Sequence, residues 1–306
     1  MNPEAHIDKV SRKPGWLTQK ERGSHAAIQC FVWLALTLGR RVVRLLLPLV
    51  SGYYLIFTVG ARRASRNYLT RALARRATFC DVYRHYHTFA SCVLDRVFFL
   101  RGRHDLFDVQ IHGEEIVTEI LKQGNGCILL GAHIGSFEAL RLVGRTRANV
   151  KLNMLMFEEN AKKVNYILKA LDPELAKDVI CLGRPGSFMN VQSCLDRGHF
   201  VGVLADRSLS KERQVSLPFL GKPSRFSLSP FRILGILRKP VVFMVALYRG
   251  ANRYDVYFER FAEPSTSHDR PSAAAIESMV VRYVARLEYY CRLAPYNWFN
   301  FFDLDV

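Results

Sequence analysis

The segment Gly131-Ala-His-Ile-Gly-Ser-Phe-Glu138 places a histidine and a carboxylate directly after the apolar run Cys127–Gly131. A histidine whose pKa is near neutral can take the proton from an alcohol as the alcohol oxygen attacks a thioester carbonyl. Such a reaction moves an acyl group to the alcohol without a serine or cysteine nucleophile. The sequence also contains no Gly-x-Ser-x-Gly segment, which disfavours a serine hydrolase.

The spacing of His133 and Glu138 decides how the two side chains can meet. Within one continuous helix they would point apart by about 140° and could not pair. If Ser136 caps a helix instead, His133 lies in the preceding turn and Glu138 in the first helical turn, where its carboxylate can turn back to the imidazole. We therefore predict His133 as the catalytic base and Glu138 as the partner that holds one ring nitrogen.

The elements that must position these residues form an alternating pattern. Beyond about residue 107, short apolar runs alternate with helical stretches, which predicts an α/β fold with a mostly parallel central sheet flanked by helices. His133 then lies at the end of a strand, where open α/β sheets bind ligands. The predicted strands are 109–112, 127–131, 150–157, 179–182, 200–205, 240–247 and 254–261, and the predicted helices are 137–147, 160–171, 187–197, 226–238 and 272–293.

The N-terminal third of the chain has apolar runs at 26–39 and 45–61, separated by Arg40, Arg41 and Arg44. Each run is shorter than the roughly 20 residues that a membrane-spanning helix needs. We predict helices that lie in the membrane interface, with arginines reaching lipid phosphates. A spanning segment and a pair of buried core helices are the alternatives.

Charge is concentrated in the same third. The chain has a net charge of +17, and residues 1–103 contribute 18 Lys and Arg against 5 Asp and Glu, a difference of +13. Such a field suits anionic lipids, an acidic carrier protein or nucleic acid. Because no nucleic-acid-binding motif accompanies it, we expect no nucleic acid partner. We predict a polar segment at 1–25, a membrane-associated basic helical region at 26–103 and an α/β acyltransferase domain at 104–306, with no signal peptide.

Metal binding is not expected from the cysteines and histidines. The seven cysteines are scattered and form no Cys-x-x-Cys pair, which indicates a reducing compartment. His85 and His87 flank Tyr86 in a helical stretch and do not share a helix face. We predict no metal site and no resident cofactor.

Three further residues are candidates for substrate binding. Asp206 and Arg207 follow an apolar strand, and Arg184 lies in Gly183-Arg-Pro-Gly186, where flanking glycines allow close approach of a phosphate or pantetheine group. Each has an ordinary alternative, because aspartate is frequent in loops and arginine on surfaces.

Several sequence blocks spread over most of the chain form one recognisable set. They are His133 to Glu138, Ala205-Asp206-Arg207, Leu217-Pro-Phe-Leu-Gly-Lys-Pro223, Lys239-Pro240-Val241-Val242 and Ala294-Pro-Tyr-Asn-Trp-Phe299. With these blocks the chain resembles the lipid A biosynthesis acyltransferases, the lauroyl/myristoyl branch of the lysophospholipid acyltransferase superfamily. It departs from their usual pattern at Arg207, where that family commonly has Gln, and at Phe137, where it often has Trp.

The resemblance implies a catalytic α/β domain on the cytoplasmic face of a bacterial inner membrane. It implies an acyl carrier protein thioester as the usual donor, with coenzyme A as the alternative, and a lipid-linked hydroxyl as the acceptor. It also implies that His133 is the base and Glu138 its orienting partner, with Asp206 a site residue near the acceptor or the sheet edge. The two departures leave the acceptor open.

Two other functions fit parts of the sequence. A non-catalytic membrane- or nucleic-acid-binding protein would explain the basic third with its interleaved aromatic residues. A thioester hydrolase would use the same base with water in place of the alcohol. The acyltransferase hypothesis differs from both because its product should depend on the acceptor and on His133.

Overall fold

The computed structural model describes most of the chain. It covers residues 25–124, 126–139, 151–157, 177–182, 186–207, 213–264 and 271–302. The helices are α1 (His25–Phe57), α2 (Val59–Ala72), α3 (Phe79–Leu100), α4 (Glu114–Lys122), α5 (Ser187–Asp196), α6 (Ser229–Leu237) and α7 (Ala273–Leu293), with 3₁₀ turns at His104–Leu106 and Pro295–Asn297.

The strands form one large sheet and one hairpin. They are β1 (Asp108–His112), β2 (Cys127–Gly131), β3 (Leu152–Phe157), β4 (Val179–Leu182), β5 (Phe200–Leu204), β6 (Gln214–Phe219), β7 (Lys222–Ser227), β8 (Val241–Gly250) and β9 (Arg253–Ala262). The large sheet has seven strands in the order β1-β9-β8-β2-β5-β3-β4. Among the strands that the structure describes in this sheet, only β8 and β9 pair in antiparallel orientation. The predicted α/β class with a mostly parallel sheet flanked by helices is therefore confirmed.

Hydrophobic clusters cover both faces of the sheet. Strand β8 divides them, because Phe243 and Val245 belong to one cluster while Met244 and Ala246 belong to the other. Side chains of β8 therefore alternate between the two faces of the sheet. Both faces are buried, as expected for a strand in the middle of a sheet that is covered on both sides. Strand β2 is buried along its whole length, which explains its uniformly apolar sequence.

The N-terminal helices form a layer beside the sheet. Helix α1 is broken at Gly39, whose φ is 78°, and this break separates the two apolar runs predicted from the sequence. Its inner face, including Val43 and Leu47, packs on Leu94 and Phe98 of α3. Within the described residues no single helix is long and apolar enough to span a membrane, whereas α1 from residue 29 and α2, bent by 100° at their junction, meet that criterion as a pair.

The hairpin of β6 and β7 was not predicted. Its turn residues Leu220 and Gly221 have φ values of 50° and 80°, the left-handed conformation of a tight two-residue hairpin turn. Because residues 222–227 pair as a strand, the helix predicted at 226–238 begins only at Ser229. The predicted helix 160–171 lies outside the described residues.

Candidate active site

The loop that follows β2, residues 132–136, is seated tightly on strand β8. The backbone N–H of Ser136 donates to the carbonyl of Ala246 at 3.0 Å. Gly135 has a φ of 62°, and a Cβ atom there would lie 1.7 Å from the carbonyl oxygen of Ala246. Only glycine fits such an approach, so the glycine in the motif has a steric cause.

Ser136 begins the helix that follows the loop. Its Oγ accepts a hydrogen bond from the backbone N–H of Ala139 at 3.3 Å, and residues 137–139 are helical. This is the predicted N-terminal cap, and Glu138 lies in the first turn as expected. The rest of the helix predicted at 137–147 lies outside the described residues.

His133 and Asp206 form the polar centre of the site. The Nδ1 atom of His133 lies 2.8 Å from Oδ1 of Asp206, and the backbone N–H of His133 donates to Oδ2 at 3.0 Å. The indole N–H of Trp298 also donates to Oδ2, at 2.9 Å. The Asp206 side chain is only 1% exposed, whereas that of His133 keeps 30% exposure.

Sheet order explains why two residues so far apart in sequence meet. Strands β2 and β5 are parallel neighbours, and Gly131 is paired with Leu204 at their carboxyl ends. His133 and Asp206 each follow an alanine that leaves one of these ends, so both emerge at the same level of the same sheet edge. That edge is where ligand sites of open α/β sheets lie.

The protonation state of the pair follows from its surroundings. Burial lowers the pKa of His133 below 6.5, helped by the charge of Arg207 and opposed by Asp206. Burial opposes ionisation of Asp206, but His133, Arg207 and Trp298 together hold its pKa below the usual range. An ionised carboxylate only accepts hydrogen bonds, so Nδ1 of His133 carries the proton. At neutral pH this leaves Nε2 unprotonated and able to accept a proton.

Glu138 is not hydrogen-bonded to His133, and this predicted pairing is wrong. Its Oε1 lies 2.8 Å from Nε of Arg96 on α3. Asp206 holds Nδ1 of His133 instead, because strand register brings it to the same level of the sheet edge. The assignment of Glu138 as a catalytic residue stays a prediction.

Arg207 lies beside His133 and Asp206, and its predicted role in substrate binding stays a prediction. Its Nη2 donates to the carbonyl of Phe299 at 3.4 Å, and its guanidinium lies 5.2 Å from the ring centre of Phe302. Burial lowers the pKa of Arg207, and within the described part of the chain its Nε is buried without a hydrogen-bond partner. Arg184 lies outside the described residues, so its predicted role stays a prediction.

Two residues of the site were not identified from the sequence. Trp298 and Arg96 come from the C-terminal segment and from α3, and neither is near the motif in sequence. A signal existed for Asp206, because Gly131-Ala-His133 and Leu204-Ala-Asp206 leave their strands at the same offset. No comparable signal marked the contact of the indole with a carboxylate.

The arrangement suits proton transfer. Within the described ranges, no three His, Cys, Asp or Glu side chains are grouped to hold a metal ion. A partly exposed imidazole with a free Nε2, oriented by a buried carboxylate, is the geometry of a general base. Positive charge from Arg207 and Arg96 acts on the same imidazole and would favour negative charge in a nearby substrate.

The chain matches a known protein family. The model described as bacterial lipid A biosynthesis acyltransferase matches residues 92–301. That range holds His133, Asp206 and Trp298 and begins within α3, so α1 and α2 lie outside it. No curated protein sequence matches the chain.

Proposed function

The chain belongs to the bacterial lipid A biosynthesis acyltransferase family, and on that premise we propose that it transfers a fatty acyl group from a thioester to a hydroxyl of a lipid or lipid-linked acceptor. The observation that carries the proposal is the His133–Asp206 pair, which leaves Nε2 of His133 unprotonated at an accessible sheet edge.

The reaction proceeds in one attack without a covalent enzyme intermediate. Nε2 of His133 takes the proton of the acceptor hydroxyl as its oxygen bonds to the thioester carbonyl carbon. Collapse of the tetrahedral oxyanion re-forms the carbonyl and breaks the carbon–sulfur bond. The departing thiolate takes the proton from the imidazolium, which returns His133 to its neutral form. Asp206 stabilises the imidazolium during this cycle.

Arg207 and Arg96 are the proposed sources of positive charge for the oxyanion. Both charges act on His133, and the buried Nε of Arg207 has a free donor. Donors held in place before the reaction stabilise developing charge without reorganising. Glu138 fixes Arg96 through their ion pair, which gives the motif carboxylate an indirect role beside the base.

The donor is proposed to be an acyl carrier protein thioester, with the coenzyme A thioester as the alternative. The supporting observation is the net charge of +17, which attracts an acidic carrier by electrostatic steering. Steering between exposed charges weakens as salt shortens the screening length. The rate at low donor concentration should therefore fall with added salt for a carrier-protein donor.

The attachment site is proposed to be the cytoplasmic face of a bacterial inner membrane, reached through α1 and α2. Large apolar side chains are exposed along these helices, among them Trp33, Leu38, Leu45, Leu49, Tyr53, Ile56, Phe57 and Val59. Soluble monomers rarely expose so many together. Arg62, Arg63 and Arg66 adjoin this surface at the bend and suit lipid phosphates.

The transfer reaction is tested with purified protein, a radiolabelled acyl carrier protein thioester and total membrane lipid extract. Wild type should form a labelled lipid, and His133→Gln should form roughly 10² to 10⁴-fold less, the usual contribution of a general base. His199→Gln is the matched control, because His199 immediately precedes strand β5, at the end opposite the sheet edge that carries the site. Its rate should stay near that of wild type.

Three outcomes separate the hypotheses. Labelled free fatty acid formed at a rate independent of added lipid would indicate a thioester hydrolase, since His133 is accessible to water. No labelled product from wild type, together with intact vesicle binding, would favour the binding protein. A labelled lipid that His133→Gln forms at the wild-type rate would refute His133 as the base.

Membrane attachment is tested on vesicles of phosphatidylethanolamine and phosphatidylglycerol. The double variant Leu45→Asp/Leu49→Asp removes two side chains that are 76% and 73% exposed on α1. Each buried leucine contributes about 1.5 to 3 kcal/mol to transfer out of water, so binding should fall about tenfold or more. Met189→Asp on α5, at 74% exposure, is the control and should bind as wild type.

A further inference from the structure

The C-terminal strap, residues 295–302, lies against the His133 loop. The N–H of Gly135 donates to the carbonyl of Asn297, and the N–H of Phe299 donates to the carbonyl of His133, both at 2.8 Å. Between these two bonds Trp298 forms an antiparallel bridge with Ile134. The backbone of Trp298 is therefore fixed relative to the base.

The side chain of Trp298 is fixed as well. It is 1% exposed and lies between the rings of Tyr68 and Phe219, whose centres are 5.0 Å and 5.3 Å away, both in edge contact. This packing leaves the indole with one hydrogen bond to make, from Nε1 to Oδ2 of Asp206 at 2.9 Å. A buried indole N–H needs such a partner.

The neighbourhood of Trp298 is anchored to the N-terminal helices. Nε2 of His85 lies 2.9 Å from the carbonyl of Trp298, and Nδ1 of His85 lies 2.8 Å from Oγ of Ser65. A carbonyl only accepts, so Nε2 carries the proton. Burial lowers the pKa of His85 to about 4, which keeps this bridge neutral at neutral pH. The hydroxyl of Tyr68 on α2 donates a hydrogen bond to the carbonyl oxygen of Pro295 at 2.8 Å.

We propose that Trp298 is a positioning residue for acyl transfer, whose indole N–H holds Oδ2 of Asp206 so that Oδ1 stays on Nδ1 of His133. The inference rests on the proposed function. Oδ2 has two donors, the His133 backbone and the indole, which together fix the rotation of the carboxylate. Without the indole the carboxylate has one donor fewer and more rotational freedom, and the imidazole it orients gains the same freedom.

Loss of the indole N–H has a directional effect on His133. The indole draws negative charge away from Asp206, so its removal makes the carboxylate a stronger acceptor and favours the imidazolium. The other charges that face His133, Arg207 and Arg96, stay in place. The acid limb of the kcat profile should therefore move to higher pH. Misplacement of the base should lower kcat about ten- to a hundred-fold while KM changes little.

The decisive variant replaces Trp298 with 3-benzothienylalanine, in which sulfur takes the place of the indole N–H and the ring shape is kept. Trp298→Phe is the genetically encoded counterpart. Phe219→Leu is the matched control, because Phe219 is fully buried against the same ring and its side chain has no group that could donate a hydrogen bond to Asp206. Each protein is assayed across pH with radiolabelled dodecanoyl acyl carrier protein and total membrane lipid extract, and its melting temperature is measured.

The proposal expects the benzothienylalanine protein to melt near wild type, lose kcat and shift its acid limb. Phe219→Leu should melt lower and keep the wild-type limb. A wild-type kcat and limb in the benzothienylalanine protein would overturn the proposal, as would an equal limb shift in Phe219→Leu. Wild type and His133→Gln in the same assay separate the failures. If wild type forms no labelled lipid the proposed function fails, and if His133→Gln retains full activity His133 is not the base. If wild type is active and His133→Gln is not, only the role of Trp298 is in question.

Discussion

The site contains two buried carboxylates whose environments differ. Asp206, 1% exposed, accepts three hydrogen bonds, from the backbone and imidazole of His133 and from Trp298. Glu138, 7% exposed, is paired with Arg96, which is itself 40% exposed. The carboxylate close to His133 in sequence is thus bound to an arginine, and the one that meets the imidazole comes from the next strand of the sheet.

The contact with His133 is determined by the register of the neighbouring strands β2 and β5. Residues that leave neighbouring parallel strands at the same level lie side by side whatever their separation in sequence, which here is 73 residues. The burial of Asp206 also makes its interactions strong, since removing one partner of a buried polar network leaves the others unsatisfied. The pair of Glu138 and Arg96 is partly screened by solvent. Substitutions at Asp206 and Glu138 should therefore differ widely in their effect on kcat.

The largest effect is expected at Asp206. In Asp206→Asn the side-chain amide can donate to Nδ1 of His133, which places the imidazole proton on Nε2 and removes the base. We expect kcat to fall roughly 10² to 10⁴-fold with little change in KM, as measured by labelled-lipid formation. A loss of less than a few-fold would show that the orientation of His133 does not depend on Asp206.

Gly135→Ala should disrupt the contact of His133 with Asp206 by moving the backbone of the His133 loop. Its Cβ would meet the carbonyl of Ala246 at 1.7 Å, so the His133 loop must move. A displacement of this kind can cost up to about a hundred-fold in rate. Gly221→Ala is the control, because Gly221 also has a positive φ, of 80°, but has open space around it in the β6–β7 turn. An equal loss of rate in both would attribute the effect to backbone strain alone.

Glu138→Gln is expected to lower kcat less than Asp206→Asn does. The variant removes the ion pair with Arg96 but leaves the bonds of Asp206 to His133 intact. Because Arg96 is 40% exposed, solvent screens its attraction to Glu138, and we expect kcat to fall less than about tenfold. Arg96→Gln also removes a proposed source of positive charge for the oxyanion, so its loss should be at least as large, and the double variant should be no worse than Arg96→Gln alone. A loss as large as that of Asp206→Asn would restore Glu138 as the main partner of the base.

The smallest effect is expected in the pH dependence of kcat. Since the pKa of His133 is lowered, the neutral base persists below pH 6.5, and the rate should fall only as pH drops through that lowered value. Asp206 opposes this lowering, so Asp206→Asn should move the acid limb to still lower pH. Glu138→Gln should leave the limb in place. An acid limb above pH 6.5 in wild type would contradict the burial of the imidazole.

The strands could be predicted where burial makes them uniformly apolar. β2 and β4 have the predicted bounds, because each is a short apolar run that ends at a glycine or directly before one in sequence. The hairpin was missed because Pro218 and Pro223, which are directly opposed in it, are uncommon in strands and suggested a turn. Their pairing becomes visible only when the strands are placed together.

The position of His133 at the sheet edge could be predicted from sequence, whereas its contact with Asp206 could not. His133 is marked by its position after a buried strand, and Ser136 is marked as a cap by its place before an apolar helical pattern. Pairing Asp206 with His133 requires knowing that β5 lies next to β2, although β3 and β4 come between them in the chain. Local propensity carries no information on strand order.

The contacts of the imidazole indicate that Asp206, and not Glu138, orients His133. Nitrogen NMR of protein labelled in histidine measures this directly, with His133→Gln used to assign the signals. The account predicts that His133 is protonated at Nδ1 and unprotonated at Nε2 at neutral pH, that Asp206→Asn abolishes this tautomer and that Glu138→Gln preserves it. Loss of the tautomer in Glu138→Gln with its retention in Asp206→Asn would contradict the account.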